Sequence, residues 1–381
     1  MPSALFADVF DASHDLFRDQ ARRFVQAEIA PHVAAWEEAE SFPADLYRKA
    51  GAAGLLGPAF PEDLGGGGGD LLHAVVLTEE LIRGGSAGLA AGLGSLAIAL
   101  PPVLALGSPE QKARWVPPVL AGEQIAALAI TEPGTGSDVS GVRTRAVRDG
   151  DDWLVSGAKT FITSGVRADL LTVLCRTGDD PHGGLTFFVV EKGREGLSVS
   201  RALKKTGWWA SDTAELRFDG VRIPDANRIG PEGSGFLALV QNFEGERLLL
   251  AIQGHALAEV ALAEARRYAG EREAFGRPIG KFQVIRHKLA DMATKVTAAK
   301  ALNYRVAQAM TRGERIPAEV AMAKNFAGDV AREVCWEAVQ IHGGMGYMRE
   351  SVVERLARDA RLLHIGGGTR EIMNEIIARF G

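Results

Sequence analysis

The sequence predicts a multidomain α+β protein: a helical amino-terminal domain, an antiparallel β-barrel or sandwich in the middle, and a carboxy-terminal four-helix bundle. Three observations predict it. Apolar residues recur at three- and four-residue spacing from Ser13 to about Leu120, short β-type runs replace them from about Ile125 to Pro224, and long helical stripes return from Gly233. The expected boundaries are 1–122, 123–231 and 232–381. With 381 residues, 46% of them hydrophobic, the chain is long enough to bury a core of that size.

Each zone has its own signals. In the first, Phe17, Ala21, Phe24 and Val25 share one helix face, and Pro31, Pro43, Pro58 and Pro61 punctuate the Ala-rich segments that follow. The run Gly65 to Gly69 reads as a flexible connection, since it lacks the Lys-Ser/Thr of a phosphate-binding loop. In the second, Trp153-Leu154-Val155, Leu170 to Leu174, Leu185 to Val190 and Thr213 to Phe218 are strand candidates. Turn signals at Asp149-Gly150, His182-Gly183-Gly184 and Asp219-Gly220 separate them, with spacing that fits antiparallel hairpins. In the third, Leu239, Phe243, Glu246, Leu250, Gln253 and Leu257 form a single stripe on one helix. Ile285, Leu289, Met292 and Val296 do the same on a second, and helices over Ala318 to Ile341 and Arg370 to Phe380 complete the bundle.

Composition excludes several functions. A net charge of -5 leaves no electrostatic footprint for nucleic acid or an anionic membrane. Cys175 and Cys335 read as buried free thiols, and the eight histidines show no metal-binding spacing, so no metal is expected. Asp8, Asp11 and Asp15 argue against a signal or transit peptide, and no uninterrupted apolar stretch approaches the roughly 20 residues of a membrane span. The expectation is a cytoplasmic, prokaryotic enzyme.

Four constellations carry possible chemistry. In Ala129 to Asp138, glycines bracket Thr135 while Thr131 and Ser137 add hydroxyls. This suits the polar edge of a heterocycle or a phosphate, and equally a plain loop entering a barrel. Phe161 lies two residues from Thr163, so a ring can rest on one while the other bonds its edge; Phe161 as a core residue is the competing reading. Glu246, followed by Arg247, lies on the apolar stripe. Desolvation there raises a carboxyl pKa toward that of a general base, although a structural ion pair would explain the same residues. Lastly, Arg272 to Gly276, Gln283, Gln340 to Gly346 and Gly366 to Thr369 offer an arginine for a pyrophosphate and glycine turns for close backbone approach. Helix-ending glycines are the alternative.

In this order the motifs resemble those of the acyl-CoA dehydrogenase family, over nearly the whole chain. They are Thr131-Glu132-Pro133 with Gly136-Ser137-Asp138, Arg272-x-x-Phe275-Gly276, Gln340-x-x-Gly343-Gly344-x-Gly346, and Gly368-Thr369-x-Glu371-Ile372. The resemblance implies FAD as cofactor, an acyl-CoA substrate, an electron-transfer flavoprotein as acceptor, and a homotetramer built as a dimer of dimers. It implies that Leu128, Ile130, Thr131, Gly136 and Ser137 line the flavin or the thioester. Phe161, where the family often has tryptophan, and Thr163 would pack on and bond the flavin ring. Arg272, Phe275, Gln283, Gln340, Gly343 and Gly344 would reach the FAD of a neighbouring subunit, and Thr369 and Glu371 its adenine side. Substrate contacts are implied for Ser137, Glu244, Gly245, Arg247 and Gly367, although Glu244 lies off the stripe on a solvated face.

One departure decides the chemistry. Many members of the family carry a catalytic glutamate two residues before the threonine of the last motif, where this chain has Gly367. A branch resembling isovaleryl-CoA and long-chain acyl-CoA dehydrogenases has its base on the bundle helix just before an arginine, and here Glu246-Arg247 stands at that place. The resemblance therefore implies α-proton removal by Glu246 with hydride loss from the β-carbon, giving a trans-2-enoyl-CoA. An oxidase, a monooxygenase or a carrier-protein-thioester dehydrogenase on the same scaffold, and a flavin-binding interaction protein without turnover, are the alternatives.

Overall fold

Two helices of the amino-terminal region begin with the same device. The computed structural model describes residues 4–381. Helix α1 (Ala12–Phe24) is capped by Asp11, whose carboxylate accepts the Ser13 and His14 N–H groups while the His14 ring accepts the Asp11 N–H. Helix α2 (Leu71–Arg83) repeats this reciprocal cap with Asp70 and His73. The His14 ring also meets the Asp70 carboxylate at 3.0 Å, so one aspartate ties both helix starts together. Sequence spacing gave no hint that His14, Asp70 and His73 converge; each of these rings already accepts a backbone N–H as a cap.

The run Gly65 to Gly69 is not the flexible connection expected of it. The Gly66, Gly67, Gly68 and Gly69 N–H groups donate to the carbonyls of Pro61, Gly57, Phe60 and Pro58 at 2.9–3.1 Å, which folds the run tightly onto residues 57–61. Glycine is needed here for close approach rather than for mobility.

The middle of the chain forms one eight-stranded sheet: β1 (Ala126–Ala129), β2 (Arg145–Asp149), β3 (Asp152–Thr163), β4 (Leu170–Arg176), β5 (Leu185–Glu191), β6 (Leu197–Ala202), β7 (Thr213–Pro224) and β8 (Arg228–Ile229). Its order is β6-β7-β3-β2-β4-β5-β8, with β1 also on β4. The β2–β3, β3–β7, β4–β5 and β6–β7 pairs are antiparallel as expected. The β1–β4 pair is parallel, Ala126 opposite Leu170 through Ala129 opposite Val173. This corrects the purely antiparallel expectation: the β2–β3 hairpin and its loops supply the crossover a parallel pair needs. Strands β4 and β5 are buried on both faces. Leu174 and Phe187 face the large helical core, whereas Val173, Cys175 and Phe188 fill the interior of the sheet, where Phe188 meets Trp153 edge to face. That is why both strands read as continuous apolar runs. Cys175 and Cys335 are buried free thiols, and burial pushes the Cys175 thiol up to about 12.

The last region holds helices α3 (Gly235–Glu271), α4 (Gln283–Thr311), α5 (Pro317–His342), α6 (Val352–Ala360) and α7 (Arg370–Phe380). Three long helices and a short fourth, α7, make the bundle, with α5 packed against all the others. Helix α3 exceeds the sequence expectation, being long and apolar enough to cross a membrane, yet 67% of its most apolar window is buried inside the protein. It is the core helix of the bundle, and α2 from the amino-terminal region packs along it.

Candidate active site

A cavity of about 810 Å³ opens where the sheet, α3, the Gly366–Gly368 turn and the amino-terminal helices meet. That is the size of a pocket for a substantial organic ligand. The stripe predicted on α3 forms one wall. Leu239 and Leu257 at its ends are in the core, while Phe243, Glu246, Leu250 and Gln253 face the cavity. The 3.6-residue period thus delivers a carboxylate into apolar surroundings.

Glu246 has the electrostatics of a base. Its Oε2 is buried with no hydrogen-bond partner. Burial raises its pKa above the ordinary carboxylate value, and the nearby Arg247 and Lys324 cations only partly oppose this. Arg247 donates from Nε to the Gly367 carbonyl at 3.1 Å and lays its guanidinium over Phe243. A Cβ built on Gly367 would sit 3.6 Å from Glu246 Oε1. The two places where the sequence allows a base therefore face each other across one point, and only Glu246 carries a carboxylate there.

The sheet supplies the opposite wall. Leu128 comes from β1, Ile130, Thr131, Gly136 and Ser137 from the loop after it, and Phe161 and Thr163 from β3. Phe161 sits at a register shift between Lys159 and Ile162, with φ +60° and 69% of the residue exposed. A left-handed phenylalanine costs about 1–3 kcal/mol, and that strain is held at a cleft rather than relaxed. An exposed ring in a fixed orientation beside the Thr163 hydroxyl suits a flat heterocycle with a polar edge. Space around Gly134 and Gly136 is open, so their loop admits a ligand against its backbone. These donors fit a flavin.

Behind the wall lies a buried ion pair whose role the motifs did not disclose. Lys159 Nζ donates to Glu132 at 2.9 Å and to the Ile130 carbonyl at 2.8 Å, while Glu132 also accepts the Arg143 and Thr144 N–H groups. It anchors the start of the Thr131–Asp138 loop. Lys324, on α5, is a second omission: it is fully buried against the Gly366–Gly368 turn. A lone charge in an Ala-rich helical run is the signal that marks it.

The other expected residues fall elsewhere. Arg247, Gly367 and Thr369 line the cavity, but Glu244 and Gly245 do not. Glu244 is neither solvated nor directed at the site. It is largely covered and meets Arg315 at 3.5 Å, because a position two residues before Glu246 points to a different helix face. Glu371 is exposed on α7 outside the cavity. Arg272, Phe275, Gln283, Gln340, Gly343 and Gly344 are all exposed and away from it, Phe275 at 95%.

Family models for the acyl-CoA dehydrogenase N-terminal, middle and C-terminal domains match residues 11–123, 127–221 and 233–381. The chain is 40% identical to the mitochondrial long-chain specific acyl-CoA dehydrogenase of Sus scrofa, over 97% of this chain and 87% of that one. The crystal structure of a probable acyl-CoA dehydrogenase from Mycobacterium abscessus superposes with a TM-score of 0.95 at 50% identity, covering 97% of this chain and 98% of that one. A chain of the solved electron transferring flavoprotein of Acidaminococcus fermentans gives 0.93 at 37% identity, covering 97% and 98%.

Proposed function

The chain belongs to the acyl-CoA dehydrogenase family and is an FAD-dependent acyl-CoA dehydrogenase, and on that premise we propose that Glu246 is the base that removes the substrate α-proton. One observation carries the proposal: a carboxylate with an unpartnered buried oxygen in the cavity, opposite a glycine where a second carboxylate is absent. FAD, when bound, supplies the acceptor for a hydride from the β-carbon. Phe161 and Thr163 would hold its ring, and the Thr131–Ser137 loop would bond its polar edge. The Gly367 and Gly368 N–H groups, which have no protein acceptor among the described residues, draw charge onto the thioester oxygen, which acidifies the α C–H. Glu246 accepts that proton at a carboxylate whose desolvation has already raised its basicity.

The acyl group we assign is apolar to its end. Every residue that residues 24–98 contribute to the cavity is uncharged, Phe24, Leu55, Phe60, Leu77 and Leu81 among them. A long or branched hydrocarbon chain gains by burial against these residues, and a terminal carboxylate finds no cation among them, the cationic lining coming from Lys204, Lys205, Arg247, Arg358 and Arg361 instead. Two further parts of the reading have support of their own. Phe275, Val284, Trp336, Met345 and Tyr347 are exposed apolar side chains, which favours assembly into a dimer of dimers that covers them. Likeness to a chain of the Acidaminococcus fermentans electron transferring flavoprotein supports a protein of that kind as electron acceptor.

Anaerobic flavin bleaching by straight, branched and ω-carboxylated acyl-CoA thioesters, followed across pH, tests the substrate and the base together. A protonated Glu246 accepts no proton, so the rate rises with pH, through an inflection above the ordinary carboxylate value. Apolar chains bleach the flavin and ω-carboxylated ones do not. A rate that falls across the same range, or preference for the ω-carboxylate, contradicts the proposal.

A further inference from the structure

At Gly367 and Gly368 the backbone carbonyls and N–H groups are in opposite states. Lys324, 1% exposed, donates from Nζ to the Leu363 carbonyl at 2.9 Å and to the Gly368 carbonyl at 2.7 Å. Arg247 donates to the Gly367 carbonyl between them. Among the described residues, by contrast, the N–H groups of Gly367, Gly368 and Thr369 donate to no protein acceptor. Gly367 and Gly368 have φ of +63° and +98°, and the turn lines the cavity. Successive amides around left-handed residues form a concave anion site when their carbonyls are drawn away.

Burying an ammonium is costly unless it is fully bonded. Here its bonds are spent on the carbonyl of Leu363, before the turn, and on that of Gly368, within it. A Cβ on Gly367 would lie 3.5 Å from Lys324 Cε and 3.6 Å from Glu246 Oε1, so amine, turn and carboxylate meet at one place.

We propose that Lys324 is a positioning residue: by tying down the Leu363 and Gly368 carbonyls it holds the turn with its amides toward the cavity, and so sets how strongly the substrate carbonyl is polarised. The proposal rests on the acyl-CoA dehydrogenase reading. It distinguishes ligands that carry a carbonyl next to sulfur from those that do not. Lys324 acts on that carbonyl through the turn, so the ratio of the two ligand affinities decides, while kcat also carries the loss of its charge beside Glu246.

The test uses the holoenzyme and its Lys324→Met variant. Affinities are measured from the flavin absorbance change for two ligands of equal chain length, a trans-2-enoyl-CoA and an S-alkyl-CoA thioether without the carbonyl. In the variant the thioester binds about tenfold more weakly and kcat falls on the order of a hundredfold, as for loss of an oxyanion donor. The thioether binds as before. If the methionine variant does not retain FAD, Lys324→Gln is measured in the same way and the same ratio decides. Equal weakening of both ligands, or no weakening of either, overturns the assignment. A parent enzyme that binds neither ligand instead defeats the acyl-CoA reading itself.

Discussion

Two glycine runs of this chain, Gly65 to Gly69 and Gly366 to Gly368, look alike in sequence and do opposite things. In the first, four successive N–H groups are consumed by carbonyls of residues 57–61. In the second, cationic side chains take the Gly367 and Gly368 carbonyls, and the N–H groups of these two residues, which line a cavity, donate to no protein acceptor among the described residues. Every buried backbone donor and acceptor needs a partner, so a run that satisfies itself is structural. A run whose amides remain open is a place for a ligand. Where the backbone hydrogen bonds go separates the two; glycine content does not.

Alanine substitutions break the comparison most directly. At Gly66 a Cβ would lie 2.3 Å from the Phe60 carbonyl oxygen and 2.4 Å from its carbon, atoms of backbone that cannot rotate away. We expect Gly66→Ala to cost about 3 kcal/mol or more in chemical denaturation, at the upper end for overpacking. At Gly367 the nearest atom, 2.5 Å away, is Leu250 Cδ1, the tip of a side chain that can turn, and the larger obstacle is the φ of +63°. Gly367→Ala is expected to cost only about 1–2 kcal/mol, the penalty of a left-handed residue. Its kcat falls disproportionately, since the turn faces the substrate. Loss of activity in Gly66→Ala without loss of stability, or the reverse in Gly367→Ala, would erase the distinction.

The same contrast explains what the sequence disclosed. Helical period alone puts Glu246 among Leu239, Phe243, Leu250 and Leu257, because a stripe is a local property. Strands β4 and β5 were legible nearly end to end from their apolar runs. Only Trp153–Val155 of β3 and Thr213–Phe218 of β7 were, since both strands run on through polar residues and the expected turn at Asp219-Gly220 lies inside β7. Short or exposed β1, β2 and β6 gave little signal. Lys324 stood out only as a lone charge in an Ala-rich run, and its role was hidden, since its acceptors lie 39 and 44 residues away and are carbonyls, which any residue has. The left-handed Phe161 was hidden too, because nothing in its side chain announces a backbone that only tertiary packing enforces. Glu244 and Glu246 differ by two positions yet face different surroundings, which the stripe predicted and family position alone blurred.

The central claim is that proton removal rests on Glu246, and Glu246→Gln tests it with almost no change of shape. The variant is expected to keep its FAD and its affinity for acyl-CoA while anaerobic bleaching of the flavin slows by more than about a hundredfold, the scale of general-base loss. Bleaching at the parent rate in a variant that holds FAD would contradict the assignment.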